Sequence, residues 1–517
     1  MTRPRLVITG ASGFIGRHLL QGLMGHYDIV ALARRSQLRC GAPFHDTISW
    51  RQVDIGQEEL VNEAFEQIRK EGGADYVIHL AAHYDFTGEN HPEYWRTNVD
   101  GLRHVLECCR ELKLKKFVFA SSVAACDYPA EGVSLDEKSP PDGEHIYAVT
   151  KGMGEAMLAE YDQWIPSAII RFAALFSDWC EYPPLYFFLE TWLSRAWNSR
   201  MLGGRGRSAI PYLHIRDIPP FVRAIIDRSD ALDQREVVIA SPSATLSHYE
   251  LFQLSHLVER GRQRKPMFMP KILCGIGMHA MDMTGMLTGE RPFERPWMAA
   301  YIDKDLRVQA ARTYARLHWH PRGRLLLCRR LPFLLEHRKT DPVEWHNRNR
   351  AALKEVRLRA NLQIHRLLEK HVDRIRAAYL EGLTSGPKVA DLASYQAVPA
   401  ETLDWRFTVI FRHLLNAVRT NEKGVFKAYC RDLGAKRLAD GFEATEVCTA
   451  LRHLNQVCLE ALGSDPDARP VLPAARNLIT MTIEFGCDQI LETFEESGAE
   501  VPDDDGCEEP LASINRV

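Results

Sequence analysis

Tyr147 and Lys151 are the residues of this 517-residue chain whose types and spacing point most directly to chemistry. Four positions apart on a helix, they share one face. An ammonium beside a phenol favours the phenolate, so Tyr147 can give a proton to a carbonyl oxygen or take one from an alcohol. Such a proton transfer pairs naturally with hydride transfer, and the chain has a place for a hydride carrier near its start. Thr9-Gly10-Ala11-Ser12-Gly13-Phe14-Ile15-Gly16 directly follows the apolar run Leu6-Val7-Ile8. Gly10 permits the tight turn, Gly13 lets backbone approach a pyrophosphate, and Gly16 lets helix and strand pack closely. The helix N-terminus then offers N–H groups and a positive dipole end to phosphate. The two motifs together imply NAD(P)-linked redox chemistry on a small molecule.

These residues need a scaffold of strands and helices in alternation. The pattern predicts strands over 6–9, 29–33, 76–80, 116–121, 167–172 and 237–240, and helices over 13–24 and 98–112. That alternation implies an α/β fold, a Rossmann-type doubly wound parallel sheet. A catalytic unit is expected over residues 1–345, with a small substrate lobe mainly in 173–330. Residues 346–496 read as an all-α helical bundle, regulatory or oligomerising, with helices over 402–419, 422–441, 443–462 and 473–496. The segment 384–401 carries Gly386, Pro387 and Pro399 and reads as a loop, and Gly463-Ser464-Asp465-Pro466 as a break. The acidic, apolar-poor tail 497–517 is expected to be disordered.

The end of the second strand selects between NAD and NADP. It carries Arg34 and Arg35, with no carboxylate for the adenosine ribose hydroxyls. Guanidinium groups suit a 2′-phosphate, so NADP is expected over NAD. The plainer reading is that one of them, Arg35 before Arg34, is a solvated surface charge. Asp54 is placed to accept from the adenine amino group, with a turn residue as the alternative.

At this point the chain resembles the extended short-chain dehydrogenase/reductase family, the NAD-dependent epimerase/dehydratases. The resemblance spans residues 1–321. It rests on the glycine turn, Val53-Asp54, His79-Leu80-Ala81-Ala82, Asn98-Val99-Asp100-Gly101, Ser121-Ser122, Tyr147-x-x-x-Lys151 and His214-Ile215-Arg216-Asp217-Ile218. It implies that Ser122 hydrogen-bonds the substrate oxygen, that Lys151 also binds the nicotinamide ribose, and that Ser121 is structural. Ser12, Phe14, Ile15, Ile55, Leu80, Ala81, Ala82, Asn98 and Phe172 are then expected along the cofactor; a local helix-start contact is the alternative for Asn98. Two departures stand out. Val123-Ala124-Ala125-Cys126-Asp127 replaces the Val-Tyr-Gly stretch usual in sugar epimerases and looks more like reductase and hydroxysteroid-dehydrogenase branches. In Leu317-His318-Trp319-His320-Pro321, His318 stands where the family usually has glycine.

Two stretches suggest an apolar substrate. Phe176–Trp197 includes Trp179, Tyr182, Tyr186, Phe187, Phe188, Trp192 and Trp197, which wall a pocket or pack the lobe core. Met278, Met281, Met283 and Met286 suit an irregular apolar ligand or a helix docked on the sheet. The expected function is therefore an NADP-dependent reductase or dehydrogenase acting on a carbonyl or alcohol of an apolar, lipid-like small molecule. The alternatives are an NAD-dependent nucleotide-sugar epimerase or dehydratase, and an NADP(H)-binding redox-sensing regulator.

Composition constrains partners. A formal net charge of −3 gives no overall basic field for nucleic acid. No apolar run reaches the roughly 18 residues of a membrane span. A basic face around Arg357, Arg359, Arg366, Lys370, Arg374 and Arg376 suits peripheral contact with anionic lipid, or is a solvated helix face. Twelve scattered cysteines without C-x-x-C spacing read as reduced thiols of a cytoplasmic protein. No metal site is expected, and a homodimer is. The helical region also bears a likeness to globin-like bacterial sensor domains, in which His413 and His453 are the histidines to consider.

Overall fold

The computed structural model describes residues 3–288, 292–353, 360–385 and 392–497. Arg357, Arg359 and the acidic tail beyond Ser497 lie outside them. The chain divides into two compact units, Met1–Arg357 and Leu358–Val517.

The first unit is built on seven parallel strands: β1 (Arg5–Thr9), β2 (Asp28–Ala33), β3 (Ile48–Gln52), β4 (Tyr76–His79), β5 (Lys116–Ser122), β6 (Ser167–Phe172) and β7 (Arg235–Ala240). In space they run from β7 through β6, β5, β4 and β1 to β2 and β3. This is the doubly wound parallel sheet that the alternation implies. Edge strand β3, Ile-Ser-Trp-Arg-Gln, was not anticipated: it is partly solvated and mostly polar, so it lacks the apolar run of the inner strands. The inner strands are buried on both faces. Leu6, Ile8, Ile29 and Ala31 pack into one layer with helix α1 (Phe14–Leu23), while Val7, Val30 and Leu32 pack into the other. That second layer holds α2 (Glu58–Lys70), α3 (Gly101–Cys109) and α4 (Ile146–Glu160). The chain reverses its winding between β1 and β4, which opens a crevice beyond their carboxyl ends.

The lobe has its own core. Helices Pro183–Leu193, His248–Arg260 and Leu327–Thr340 enclose Leu189, Trp192, Phe252 and Leu331. Helix Pro342–Leu353 joins them: buried Trp345 donates to Glu190 Oε1 at 3.1 Å, and Asn349 Nδ2 donates to the Trp179 carbonyl at 2.8 Å.

The second unit is helical. Ala400–Thr420, Gly424–Ala439, Ala444–Gly463 and Leu472–Glu496 close around Phe407, Phe426, Leu454 and Ile483 with the shorter Ala360–Lys370 and Val372–Ser385. Gly486 lets two helices meet closely, since a Cβ there would lie 2.7 Å from the Phe426 ring. Three of the basic residues in this unit are engaged internally. Lys370 pairs with Asp465 at 2.8 Å, Arg374 donates to Ser464 Oγ at 2.6 Å, and Arg376 pairs with Asp404. His413 stacks on Tyr429 and His453 on Tyr379, on separate helices.

Candidate active site

The glycine turn has the shape its sequence implies. Gly10 is left-handed at φ 69°, and a Cβ there would lie 2.6 Å from the Ala81 backbone nitrogen. A Cβ on Gly16 would lie 2.6 Å from the carbonyl oxygens of Gly10 and Ala11, so β1, β4 and α1 approach as only glycine allows. At the start of α1, Gly13 brings no side-chain cap, and the first turn carries no acidic residue. This helix end therefore keeps its donors and its positive dipole for an anionic group. Across the crevice, Leu80 to Ala82 are partly exposed, with Leu80 N donating to Thr9 O at 3.2 Å and Ala81 N to Thr9 Oγ1 at 3.4 Å. The residues present fit a dinucleotide.

The arginine pair behaves differently from the expectation. Arg35 Nη2 donates to the Ser12 carbonyl at 2.6 Å, and Trp50 Nε1 donates to the Arg35 carbonyl at 3.1 Å. The Arg35 guanidinium thus braces the glycine turn. Asp54 is also engaged, accepting from Gly56 N at 3.1 Å and from Arg96 Nη1 at 3.2 Å. Next to it, buried Ile55 packs where a Cβ on Gly101 would lie 2.8 Å from its side chain.

Helix α4 begins at His145, whose Nδ1 accepts from Ala148 N at 3.2 Å, and this cap sets the phase of the helix. Tyr147 and Lys151 then share a face, with the Lys151 nitrogen 5.6 Å from the Tyr147 ring centre. Lys151 is buried and donates to the Ala120 carbonyl at 2.6 Å. Burial pulls its pKa down to about 8, and Glu155 opposes that fall. Below it lies a buried polar layer. Ser121 Oγ donates to Glu155 Oε1 at 2.6 Å, and Arg171 holds Glu155 with bonds of 3.1 and 2.8 Å. Ser122, one residue on, is half-buried at the end of β5. Its Oγ accepts from Ala124 N at 3.1 Å and lies 3.5 Å from the carbonyl of Phe172, its register partner on β6.

Asn98 sits in a π-helical turn, Tyr94–Asp100. Its amide clamps the His83 backbone from both sides, accepting at 2.6 Å and donating at 3.0 Å, and donates to Thr150 Oγ1 at 3.0 Å. It therefore ties the crevice floor to α4. Tyr84 was given no role of its own from the sequence, although its ring packs 4.2 Å from that of Tyr147. His145, also missed, stacks between Tyr147 and Trp297 at 6.2 and 5.9 Å. Its position just before a helix was the available signal.

Of the aromatic run, Tyr182 and Phe187 face this end, packing with Phe86 and Phe293 at 6.3 and 4.4 Å. Tyr186, Phe188 and Trp192 pack with the lobe core, and Trp197 is exposed. Met281, Met283 and Met286 point outward, and Met278 is half-buried. His318 takes φ 48° at a helix end, the conformation that suits the glycine usual there.

Residues 6–240 match the model of the NAD dependent epimerase/dehydratase family. A uronate dehydrogenase of Pseudomonas syringae pv. tomato strain DC3000 is 25% identical over 194 residues, covering 37% of this chain and 65% of that protein. An uncharacterized UDP-glucose epimerase of Bacillus subtilis strain 168 is 28% identical over 243 residues, covering 43% of this chain and 73% of that protein. A crystal structure of a UDP-glucose 4-epimerase of Thermus thermophilus in complex with NAD superposes with a TM-score of 0.48 at 18% identity, covering 65% of this chain and 99% of that one. The first unit thus carries an epimerase-like Rossmann domain, matched over residues 6–240 by that family's model, and is followed in the chain by a helical bundle. The expectation of NADP is corrected: the family description names NAD, and Arg35 is spent on Ser12. The expectation of an oxidoreductase for lipid-like substrates is corrected with it. The two relatives named here are sugar enzymes, and most of the apolar side chains that suggested a lipid pack in the lobe core or face outward.

Proposed function

We propose that the first unit is an NAD-dependent epimerase or dehydratase acting on a nucleotide-linked sugar. The observation that carries this reading is the convergence of Tyr147, buried Lys151 and Ser122 on a crevice whose α1 end is kept free for phosphate. Gly10, Ser12, Gly13, Phe14, Ile15 and Gly16 would hold the pyrophosphate side of NAD, with Arg34, Arg35, Asp54 and Ile55 around the adenosine. Leu80, Ala81, Ala82, Asn98 and Phe172 would flank the nicotinamide half. Bound there, NAD supplies a reversible hydride acceptor.

The chain supplies the rest. Ser122 Oγ orients a sugar hydroxyl, and the Tyr147 phenol oxygen takes its proton. The Lys151 ammonium favours the phenolate while it remains charged. Tyr84, Tyr182 and Phe187 form an aromatic wall on which a sugar ring can rest, and burial holds Tyr84 and Tyr182 in their neutral forms. In this reading the protein works in the cytoplasm as a homodimer, and the helical unit regulates it or joins protomers.

The test is proton NMR of UDP-glucose, UDP-N-acetylglucosamine and UDP-glucuronate incubated with the purified full chain, beside mass spectrometry of any dinucleotide it carries. The reading expects retained NAD and conversion of one of these sugars without net NADH. Accumulation of NADH with an oxidised sugar would instead assign a dehydrogenase.

A further inference from the structure

Helix α5 (Lys271–Thr288) is built inside out. On a surface helix the apolar stripe normally faces the core. Here Asp282 is buried at 7% exposure, in an ion pair of 2.7 Å with buried Arg295, while Ile272, Ile276 and Met283 are 78%, 62% and 67% exposed. Ile272, Ile276, His279 and Met283 follow each other at steps of four, three and four, so they lie along one outward stripe. The stripe continues into the preceding strand Met267–Met269, where Met267 and Phe268 are more than half exposed and Phe268 stacks on exposed Tyr249.

Positive charge borders this apolar surface. Gly206 packs against Tyr249 and Phe268, which places exposed Arg205 and Arg207 beside that aromatic pair. On the other side, Arg200 donates to the Lys265 carbonyl at 3.0 Å, and Met267 N donates to the Arg200 carbonyl at 2.7 Å. Desolvation and the like charges of Arg260, Arg200 and Arg262 hold Arg264 below its ordinary pKa, which marks a cluster of cations in that corner. Two nearby carboxylates are already engaged, one of them at this rim. Glu259 pairs with Lys339 at 3.2 Å, and Asp303 accepts the backbone N–H groups of Arg205 and Arg207.

We propose that α5 and the Met267–Met269 strand form a docking surface for an anionic membrane, lying in its interface rather than crossing it. An apolar strip exposed over about 17 Å of α5, with flexible methionines, an aromatic pair and an arginine rim, matches the chemistry of a lipid surface. Among the described residues no helix is long and apolar enough to span a membrane. A second copy fits less well, because a two-fold contact would set one arginine rim against the other. The Asp282–Arg295 pair links α5 to the segment bearing Phe293 and Trp297, which pack toward Phe187 and His145. Docking would therefore hold the mouth of the crevice near the lipid headgroups.

The experiment is sedimentation of the full chain with phosphatidylcholine vesicles, with and without phosphatidylglycerol, at low and high salt. The expected result is binding to the anionic vesicles that weakens with salt. Arg262→Gln combined with Arg264→Gln should weaken it about thirtyfold, at roughly fivefold for each charge removed. Ile276→Glu combined with Met283→Glu should weaken it at least as much, at an unchanged melting temperature because both side chains are exposed. Wild-type protein that stays in the supernatant, or variants that bind as well as wild type, would overturn the proposal. A dimer in sedimentation velocity that Ile276→Glu and Met283→Glu dissociate, without vesicle binding, would assign the face to a second copy.

Discussion

The two units bury polar groups in different ways. In the first, charges lie under the carboxyl ends of parallel strands. Lys151, Glu155 and Arg171 form a buried layer beneath Tyr147 and Ser122, and α1 starts without a side-chain cap. In the helical unit, ion pairs join neighbouring helices or turns, as in Lys370 with Asp465 and Arg452 with Glu484. Parallel strands end side by side, so residues far apart in sequence converge at one crevice. The helices enclose a largely apolar core, and the charges buried with it, such as Arg419, Arg437 and Glu446, are spread over several helices. The lesson is that burial of charge marks a site when several elements aim it at one crevice.

Four substitutions and a titration can break that contrast. Tyr147→Phe carries the largest expected effect, a loss in kcat on the order of a thousandfold, since it removes the proton carrier. Binding of NAD, followed by fluorescence titration, should stay within a factor of a few. Phe426→Ala should destabilise the helical unit by about 3–5 kcal/mol, because Phe426 is fully buried. Denaturation followed by hydrogen exchange should place the loss in Leu358–Val517. Gly16→Ala should cost about 1–3 kcal/mol, because its Cβ meets backbone that has little room to move. The same change should weaken NAD binding, and an unchanged affinity would show that the turn tolerates a Cβ.

The smallest effect is a pH limb. Lys151 is a cation below its pKa of about 8 and neutral above it. Turnover that depends on the ammonium should fall as pH rises through about 8. The sign for stability is the reverse. The buried cation is unfavourable below about 8, and that cost disappears by the ordinary lysine range, so Lys151→Met should melt no lower than wild type at neutral pH while losing turnover. A fall in melting temperature would mean that Lys151 is structural.

Much of this was legible in the sequence because it depends on local pattern. Alternating apolar runs located the inner strands, glycine spacing located the turn, and a tyrosine and lysine one helical turn apart located α4. Features set by distant partners were not legible. Edge strand β3 carries too few apolar residues to show itself. Arg34-Arg35 is the right chemistry for a 2′-phosphate, but only the fold reveals that Arg35 reaches back to Ser12. The methionine content of α5 was legible without telling which way those side chains face, and the buried Asp282–Arg295 pair decides that. Tyr84 and Trp297 reach the site from remote segments, so no spacing announces them.

The central claim is that hydride leaves the sugar and returns to it within one occupancy of this crevice. A nucleotide sugar deuterated at the oxidised carbon, followed by mass spectrometry and NMR, tests it most directly. The expected product retains the deuterium, with no net reduced NAD. Deuterium found on released NADH, together with a stoichiometric oxidised sugar, would contradict it.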